Sequence, residues 1–306
     1  MKLIITDQLR GDALHCMGND AVISPHIDQL AQEGTLFTSG YTSTPSSTPA
    51  RAGLLTGMSP WHHGMLGYGR VAQKYPYEMP QMLRDLGYYT FGIGKMHWFP
   101  QKSLHGFHAT LVDESGRVES PDFISDYRVW FQLHAPGQDP DKTGVGWNDH
   151  GAKVYQLDEK LHPTTWTGQT ACELIRHYDN NQPLFLKVSF ARPHSPYDPP
   201  QRYVDLYKDA PIPKPWVGDW CALTDGKIKY IWFMYTGEEQ LFDLVKDPGE
   251  ERNVAQAKPY QKQLAEMRQA MVRHLSERGD GFVKDGQLVK REQTLLYSPH
   301  YPKSGS

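Results

Sequence analysis

The chain has 306 residues, which is enough for one large domain or about two smaller ones. Hydrophobic residues make up 39% and charged residues 22%, so the composition excludes a wholly disordered protein. The formal net charge of −3 gives no basic surface for nucleic acid or for an anionic membrane. The cysteines are 3 in number and scattered, which argues against a disulfide scaffold and against a paired-cysteine metal site.

The N-terminal segment is apolar for only a few positions before Asp7, which is too short for the apolar core of a signal peptide. No apolar run approaches the length of a membrane span. As written, the sequence therefore predicts a cytoplasmic protein, and an incomplete N-terminus would be consistent with a periplasmic or secreted one.

The first two thirds of the chain alternate predicted strands and helices, which is typical of a parallel α/β sheet. In chain order, the predicted elements are a strand over Leu3–Thr6, a helix from Ser24-Pro25 to Gly34, a turn that leads into a short helix over Pro49–Gly57, a helix over Met79–Leu86, a strand over Tyr88–Ile93, a helix over Thr167–Tyr178 and a strand over Leu184–Phe190. Leu3–Thr6 is expected to be buried. Residues 98–165 are rich in Gly, Pro, Asp and His, and are expected to form a long excursion over a site rather than core.

The pattern changes at about Lys214. Short predicted strands flank the hairpin turn Asp225-Gly226, and a further strand is predicted over Glu239–Leu244. The predicted helix Tyr260–Arg278 carries one apolar face, formed by Leu264, Met267, Met271 and Leu275. We therefore predict an N-terminal α/β core over residues 1–220 and a C-terminal antiparallel sheet plus helix over residues 221–306.

Polar residues stand just past the ends of three predicted strands, at Asp7, Lys95 and His194. In parallel α/β sheets, ligands bind outside the carboxyl ends of the strands. The sequence therefore predicts that these side chains share a site.

The most specific pattern lies between Ser46 and Gly57. Ser47 is followed by Pro49 at the second position and Arg51 at the fourth, and the segment ends with two leucines, Thr and Gly. This pattern resembles the signature of the type I sulfatases, the formylglycine-dependent branch of the alkaline phosphatase superfamily.

Other segments resemble elements of the same family, and they occur in the family's order. Asp7–Asp12 resembles its N-terminal metal-binding strand end, Gly94–His97 its Gly-Lys-x-His element and Phe190–Pro196 its Pro-His-x-Pro element. The stretch from Thr224 onward resembles the closing subdomain. The resemblance implies an alkaline-phosphatase-like parallel-sheet sandwich core, here truncated, with a small C-terminal antiparallel sheet plus helix.

The resemblance also implies the chemistry. In the family, a radical-SAM maturase oxidises a serine at the Ser47 position to formylglycine, and the hydrated aldehyde attacks the sulfur of a sulfate monoester. By the same resemblance, Arg51 orients this nucleophile and His97 is the base on the diol. Lys95 binds the sulfate, and His194 contacts it or protonates the leaving oxygen.

The implied metal is Ca²⁺, with Mg²⁺ or Mn²⁺ as alternatives. Asp7 is its implied oxygen ligand, assisted by Gln8 and by the group at Ser47. The implied partners are a sulfated small molecule or glycan as substrate and a formylglycine-generating maturase. We expect neither nucleic acid nor membrane as a partner.

The chain departs from the family pattern after Pro-His-x-Pro. Family members carry further strands and metal ligands there, so we infer an internal deletion with its seam close to Trp220-Cys221. Asn148–Gly151 spells an Asp-His-Gly metal element, but it follows a Gly-rich segment and precedes Pro-His-x-Pro. We therefore do not expect it to bind metal.

These observations predict a sulfuric ester hydrolase of the arylsulfatase type. One alternative is an inactive remnant or binding module that keeps an anion pocket but lacks the metal. The other is a formylglycine-dependent phosphodiesterase or phosphonate monoester hydrolase.

Overall fold

A four-stranded parallel sheet forms the centre of the N-terminal part, in the order β1-β4-β2-β3. Its strands are β1 (Lys2–Asp7), β2 (Tyr89–Gly94), β3 (Ala109–Val112) and β4 (Leu184–Pro193). Both faces of strand β4 are covered: Phe185 packs in one buried cluster, and Leu186 and Val188 pack in another.

Within the described residues, seven helices surround or follow the strands of this N-terminal part, and two of them illustrate how the two faces of the sheet are covered. The helices are α1 (Pro25–Glu33), α2 (Ser47–Thr56), α3 (Pro60–His63), α4 (Met79–Asp85), α5 (Asp126–His134), α6 (Pro163–Arg176) and α7 (Gln201–Leu206), with 3-10 turns at His15–Met17 and Glu159–Leu161. On one face, Ala52 and Leu55 of α2 pack with Phe185 of β4. On the other, Ala171 of α6 packs against Leu186. The predicted parallel α/β architecture is therefore confirmed.

The structure is a computed structural model. It describes residues 1–38, 40–114, 117, 122–141, 144–146, 151–209, 221–234, 236–277, 281–290 and 300–302. By their contacts, the residues divide into two compact units. The first comprises Met1–Thr38, Thr42–Ile212 and Leu296–Ser306, and the second comprises Ser39–Tyr41 and Pro213–Leu295.

The second unit contains an antiparallel sheet in the order β5-β6-β7 and one long helix. Its elements are β5 (Cys221–Thr224), β6 (Ile228–Trp232), β7 (Glu239–Asp243), α8 (Gln261–Ser276) and the hairpin strands β8 (Val283–Lys284) and β9 (Gln287–Leu288), with a 3-10 turn at Lys258–Tyr260. The predicted apolar face of the helix is buried, and it packs with Tyr230, Trp232 and Leu241. The predicted antiparallel sheet plus helix is confirmed.

The prediction for residues 98–165 is wrong in part. This segment contributes β3 to the sheet and the helix α5, whose Tyr127 and Phe131 are buried. A four-residue strand gives too short a pattern to recognise in sequence, because its burial depends on pairing with β2.

The expected burial of the first strand is also wrong. Strand β1 lies at an edge of the described sheet, and Ile4 exposes 62% of its surface. The predicted apolar face of α1 is likewise exposed, with Leu30 at 66%. Sequence pattern predicts which residues share a face, but only tertiary packing decides whether that face is covered.

Several expectations fall outside the described residues. These are the Asp149-His150 pair of the Asp-His-Gly sequence, and the inferred seam and domain boundary at residues 220 and 221, because residues 210–220 lie outside the described ranges although Cys221 begins β5. Within the described ranges, no helix has both the length and the apolar character needed to cross a bilayer.

Candidate active site

The carboxyl ends of β1, β2 and β4 bring three predicted site residues together. The ammonium of Lys95 donates a hydrogen bond to Oδ2 of Asp7. The backbone N–H of His194 donates to the carbonyl oxygen of Asp7 over 3.1 Å. These contacts follow from the parallel pairing of β4 with both β1 and β2, which sets the strand ends side by side.

Helix α2 supplies the next two predicted residues. Ser47 is its first residue and Arg51 lies one turn later, so both side chains are on one face. Nε of Arg51 lies 3.3 Å from Oγ of Ser47. The same guanidinium donates to the carbonyl oxygen of Lys95 at 2.7 Å, to Oγ of Ser189 at 3.1 Å and to Oδ1 of Asp7 at 3.4 Å. Arg51 thereby ties the start of α2 to the last residue of β1, to the residue after β2 and to the interior of β4.

His97 is placed to accept a proton from Ser47. Its Nδ1 lies 2.9 Å from Oγ of Ser47, and its Nε2 lies 3.4 Å from the hydroxyl of Tyr68. Burial, reinforced by the positive charges of Arg117 and Lys95, holds the pKa of His97 far below its usual value. The imidazole is therefore neutral near neutral pH. Because a guanidinium can only donate hydrogen bonds, the hydroxyl proton of Ser47 is directed to Nδ1.

Glu114 fixes the backbone that carries His97. Its Oε1 accepts from the N–H of Met96 at 3.0 Å and from the N–H of His97 at 2.9 Å, and its Oε2 accepts from Arg117. His97 has a left-handed backbone, with φ of 61°, which two charge-assisted bonds help to hold. Sequence reasoning missed Glu114. The feature that could have identified Glu114 in the sequence is its position just after the end of β3, but β3 itself was not predicted.

Lys187 and Ser189 were also missed. They lie on β4 at alternate positions, so both point to the face that carries Arg51. Burial lowers the pKa of Lys187 to about 7, and repulsion from Arg51 adds to this. Its Nζ lies 5.0 Å from the centre of the Trp98 ring. The available signal was a lysine in the middle of an otherwise apolar strand.

His194 lies half-buried at the edge of this cluster. Its Nδ1 is 2.9 Å from the carbonyl oxygen of Ser195, which favours a proton on Nδ1. Burial lowers the pKa of His194, and the bond to Ser195 only partly opposes this. The segment on both sides of His194 is held together by Arg192, which donates two hydrogen bonds to buried Asp198, at 2.7 Å and 2.9 Å.

The described residues do not fit a calcium ion. Burial raises the pKa of Asp7, but the charges of Lys95 and Arg51 outweigh it and hold the pKa below its usual value. Both carboxylate oxygens of Asp7 are thus already paired with cations. Gln8 is exposed, with a left-handed backbone. Calcium takes about six to eight oxygen ligands, whereas no three His, Cys, Asp or Glu side chains in the described ranges form a group that could hold a metal.

Sequence comparison relates the chain to enzymes of one class. It is 38% identical over 239 residues to an arylsulfatase of Clostridium perfringens, an alignment that covers 73% of this chain and 49% of that protein. The chain therefore spans about half the length of this curated relative.

Structural comparison shows the alkaline-phosphatase-like fold. The crystal structure of the phosphonate monoester hydrolase of Agrobacterium radiobacter matches with a TM-score of 0.66 and 15% identity, over 95% of this chain and 99% of that one. A protein solved in complex with its substrate D-glucosamine-2-N,6-O-disulfate matches with a TM-score of 0.51 and 21% identity, over 70% of this chain and 38% of that one. The sequence profile of the sulfatase family matches residues 3–267, and the chain belongs to the sulfatase family.

Proposed function

We propose that the chain is a sulfuric ester hydrolase that cleaves sulfate monoesters through a formylglycine made from Ser47. Sulfatases generally use a formylglycine and a divalent metal ion. The observation that carries the proposal is the position of Ser47, held between Nε of Arg51 at 3.3 Å and Nδ1 of His97 at 2.9 Å. The start of α2 thus presents an oriented oxygen beside a neutral base.

The modification explains why a serine at this position is useful. A hydrated formylglycine supplies two hydroxyl groups, so that one can attack sulfur and the other can release the sulfate, whereas an unmodified serine would remain a stable sulfate ester. The surroundings of Ser47 fit this group, because one side of the oxygen meets a donor and the other meets a proton acceptor.

The residues around Ser47 have distinct parts in the proposed reaction. Arg51 orients the oxygen, and His97 accepts its proton at Nδ1. The positive charges of Lys95 and Arg51 stabilise the charge that develops on the sulfate oxygens. In its protonated form, His194 donates from Nε2 to the leaving oxygen, since Nδ1 already bonds to Ser195.

The substrate class follows from the family and its neighbours. We propose a sulfated small molecule or glycan, in keeping with the arylsulfatase relative and with the sulfated glucosamine bound by one structural neighbour. A formylglycine-generating maturase is the proposed partner. The described residues do not fit the calcium ion predicted on Asp7, Gln8 and Ser47, so no step of the proposed reaction uses it. A cytoplasmic location stays a prediction from the sequence.

The experiment that tests the proposal is hydrolysis of an aryl sulfate by protein co-expressed with a Ser-type maturase. Mass spectrometry of the Ser47 peptide reports its conversion as the loss of two hydrogen atoms. Turnover should disappear in Ser47→Ala and persist in Ser46→Ala, because Ser46 makes no side-chain capping bond. Turnover that survives Ser47→Ala would contradict the proposal.

The second candidate function is an inactive remnant that retains anion binding. It is favoured by the cation-paired state of Asp7, which leaves the described residues without a divalent metal site. Folded protein with converted Ser47 and no turnover of any ester would support it. Faster turnover of a phosphodiester than of an aryl sulfate would favour the phosphodiesterase or phosphonate monoester hydrolase alternative.

A further inference from the structure

We infer that this site binds a singly charged tetrahedral anion with Lys95 and Arg51 as its cations, and that binding requires no divalent metal ion. The inference rests on the proposed sulfate ester site and concerns how that site holds the charge of its ligand. A sulfate monoester carries one negative charge, so the relevant quantity is the net charge that this chain itself supplies.

The charge of the cluster comes from three side chains that contact one another. Lys95 and Arg51 each donate to a different oxygen of Asp7, which leaves a net charge of about +1. The side chains of Lys95, Arg51 and Asp7 expose only 1%, 7% and 10% of their surface. At such burial, water screens the charges weakly, so the excess positive charge acts strongly on an anion nearby.

A divalent cation at Asp7 is opposed by the same contacts. It would have to displace Lys95 or Arg51 from a carboxylate oxygen, or lie beside both of these positive charges. Among the described residues, no group of three His, Cys, Asp or Glu side chains surrounds Asp7 to help hold such an ion, and two buried carboxylates are already paired. Glu114 is engaged by two backbone N–H groups and by Arg117, and Asp198 by both nitrogens of the Arg192 fork.

The start of α2 strengthens the preference for an anion. Ser47 stands at the first position of this ten-residue helix, where backbone N–H groups carry partial positive charge. Lys187 lies two residues before Ser189, on the same face of β4, and adds positive charge whenever it is protonated. The described surroundings of Ser47 are therefore positive before any metal is added.

The decisive variant is Asp7→Asn, because anion binding by the two cations alone and anion binding through a metal on Asp7 predict opposite results. If Asp7 competes with the ligand for Lys95 and Arg51, removal of its charge should tighten anion binding by about three- to tenfold. If Asp7 holds a metal that holds the anion, the same change should weaken binding. The substitution keeps the side-chain shape, and circular dichroism confirms that each variant is folded.

The probe is phenyl sulfate, measured by isothermal titration calorimetry on protein made without a maturase. Ser47 is then unmodified, so the ligand is bound without turnover. The dissociation constant should agree within about twofold in EDTA and in calcium chloride, and calcium alone should give no stoichiometric heat. Lys95→Met should weaken binding by about tenfold or more, whereas the exposed-lysine control Lys74→Met should leave it unchanged.

Three results would overturn the inference: affinity that rises about tenfold or more with calcium, weaker binding by Asp7→Asn, or no binding of phenyl sulfate under either condition. Failure of the proposed function is a separate result. Metal-independent binding together with no turnover by matured protein would overturn sulfate ester hydrolysis and leave this inference standing.

Discussion

The hydroxyl oxygen of Ser47 lies 2.9 Å from Nδ1 of His97, although the residues are 50 positions apart in the sequence. The contact forms because α2 begins, and β2 ends, at the same edge of the sheet, where Arg51 bonds to the carbonyl oxygen of Lys95. Buried Arg51 thus links Ser47 to the backbone of Lys95, two residues before the neutral imidazole of His97. Substitutions at four positions test the elements that hold this arrangement.

Arg51→Lys should destabilise the chain by about 2–4 kcal/mol, even though the positive charge is kept. A lysine ammonium cannot reproduce the planar fork that reaches Lys95, Ser189 and Asp7 at once. Denaturant unfolding measures the change. The exposed Arg10→Lys is the matched control and should change stability by less than about 0.5 kcal/mol. Equal effects of the two substitutions would show that the Arg51 network does not stabilise the fold.

Gly94→Ala should be more destabilising than Gly87→Ala by about 1–3 kcal/mol. Both glycines have positive φ, 90° at Gly94 and 88° at Gly87, so the backbone strain of an added Cβ is shared. The two positions differ in the room available for a side chain. A Cβ at Gly94 would lie 2.1 Å from the carbonyl oxygen of Ser189, whereas a Cβ at Gly87 would have no atom within 4 Å. Thermal unfolding of both variants measures the difference, and equal melting temperatures would contradict the close approach of β2 to β4.

Glu114→Ala should cost about 2–4 kcal/mol, because it leaves the N–H groups of Met96 and His97 and the charge of Arg117 without their buried partner. Glu114→Gln should cost less, since an amide oxygen can still accept from the two N–H groups. If Glu114 positions His97, the matured alanine variant should also lose kcat with little change in KM.

The control for this pair is Glu173→Gln, an exposed substitution on α6 that should leave stability and kcat unchanged. The histidine ring signals in NMR spectra give a second readout. In Glu114→Ala, the resonances of His97 should shift or broaden, while those of the exposed His177 should not. Unchanged His97 signals would show that its placement does not depend on Glu114.

Lys187→Met should remove a pH dependence of stability between about pH 7 and the ordinary lysine pKa of 10.5. The folded chain releases the Lys187 proton near pH 7, whereas the unfolded chain keeps it up to about 10.5. The unfolded state binds more protons across this window, so wild-type stability should rise with pH, by up to about 4 kcal/mol.

The Lys187→Met variant lacks this rise and should be the more stable protein near neutral pH, because it no longer buries an ammonium group. Unfolding free energies from about pH 6 to pH 10 measure both effects. Lys74→Met, at an exposed position, should follow the wild-type curve. Parallel curves for wild type and Lys187→Met would show that Lys187 is not buried as described.

Much of the architecture could be predicted because its signals are local. An apolar run specified β4, and the spacing of Leu264, Met267, Met271 and Leu275 specified the buried face of α8. The strand β3 and the helix α5 could not be predicted in the same way. A four-residue strand is stabilised by its partner rather than by its own pattern.

By itself, the sequence determined that Ser47 and Arg51 lie side by side, because their spacing is a local motif that one helical turn converts into a contact. It also placed Asp7, Lys95 and His194 at or just after the carboxyl ends of strands, which lie side by side in a parallel sheet. Only the tertiary structure decided what these groups do to one another. Whether Asp7 holds a metal or pairs with Lys95 and Arg51 depends on which charges meet in a buried space, and Coulomb energies there depend on three-dimensional distance rather than on sequence separation.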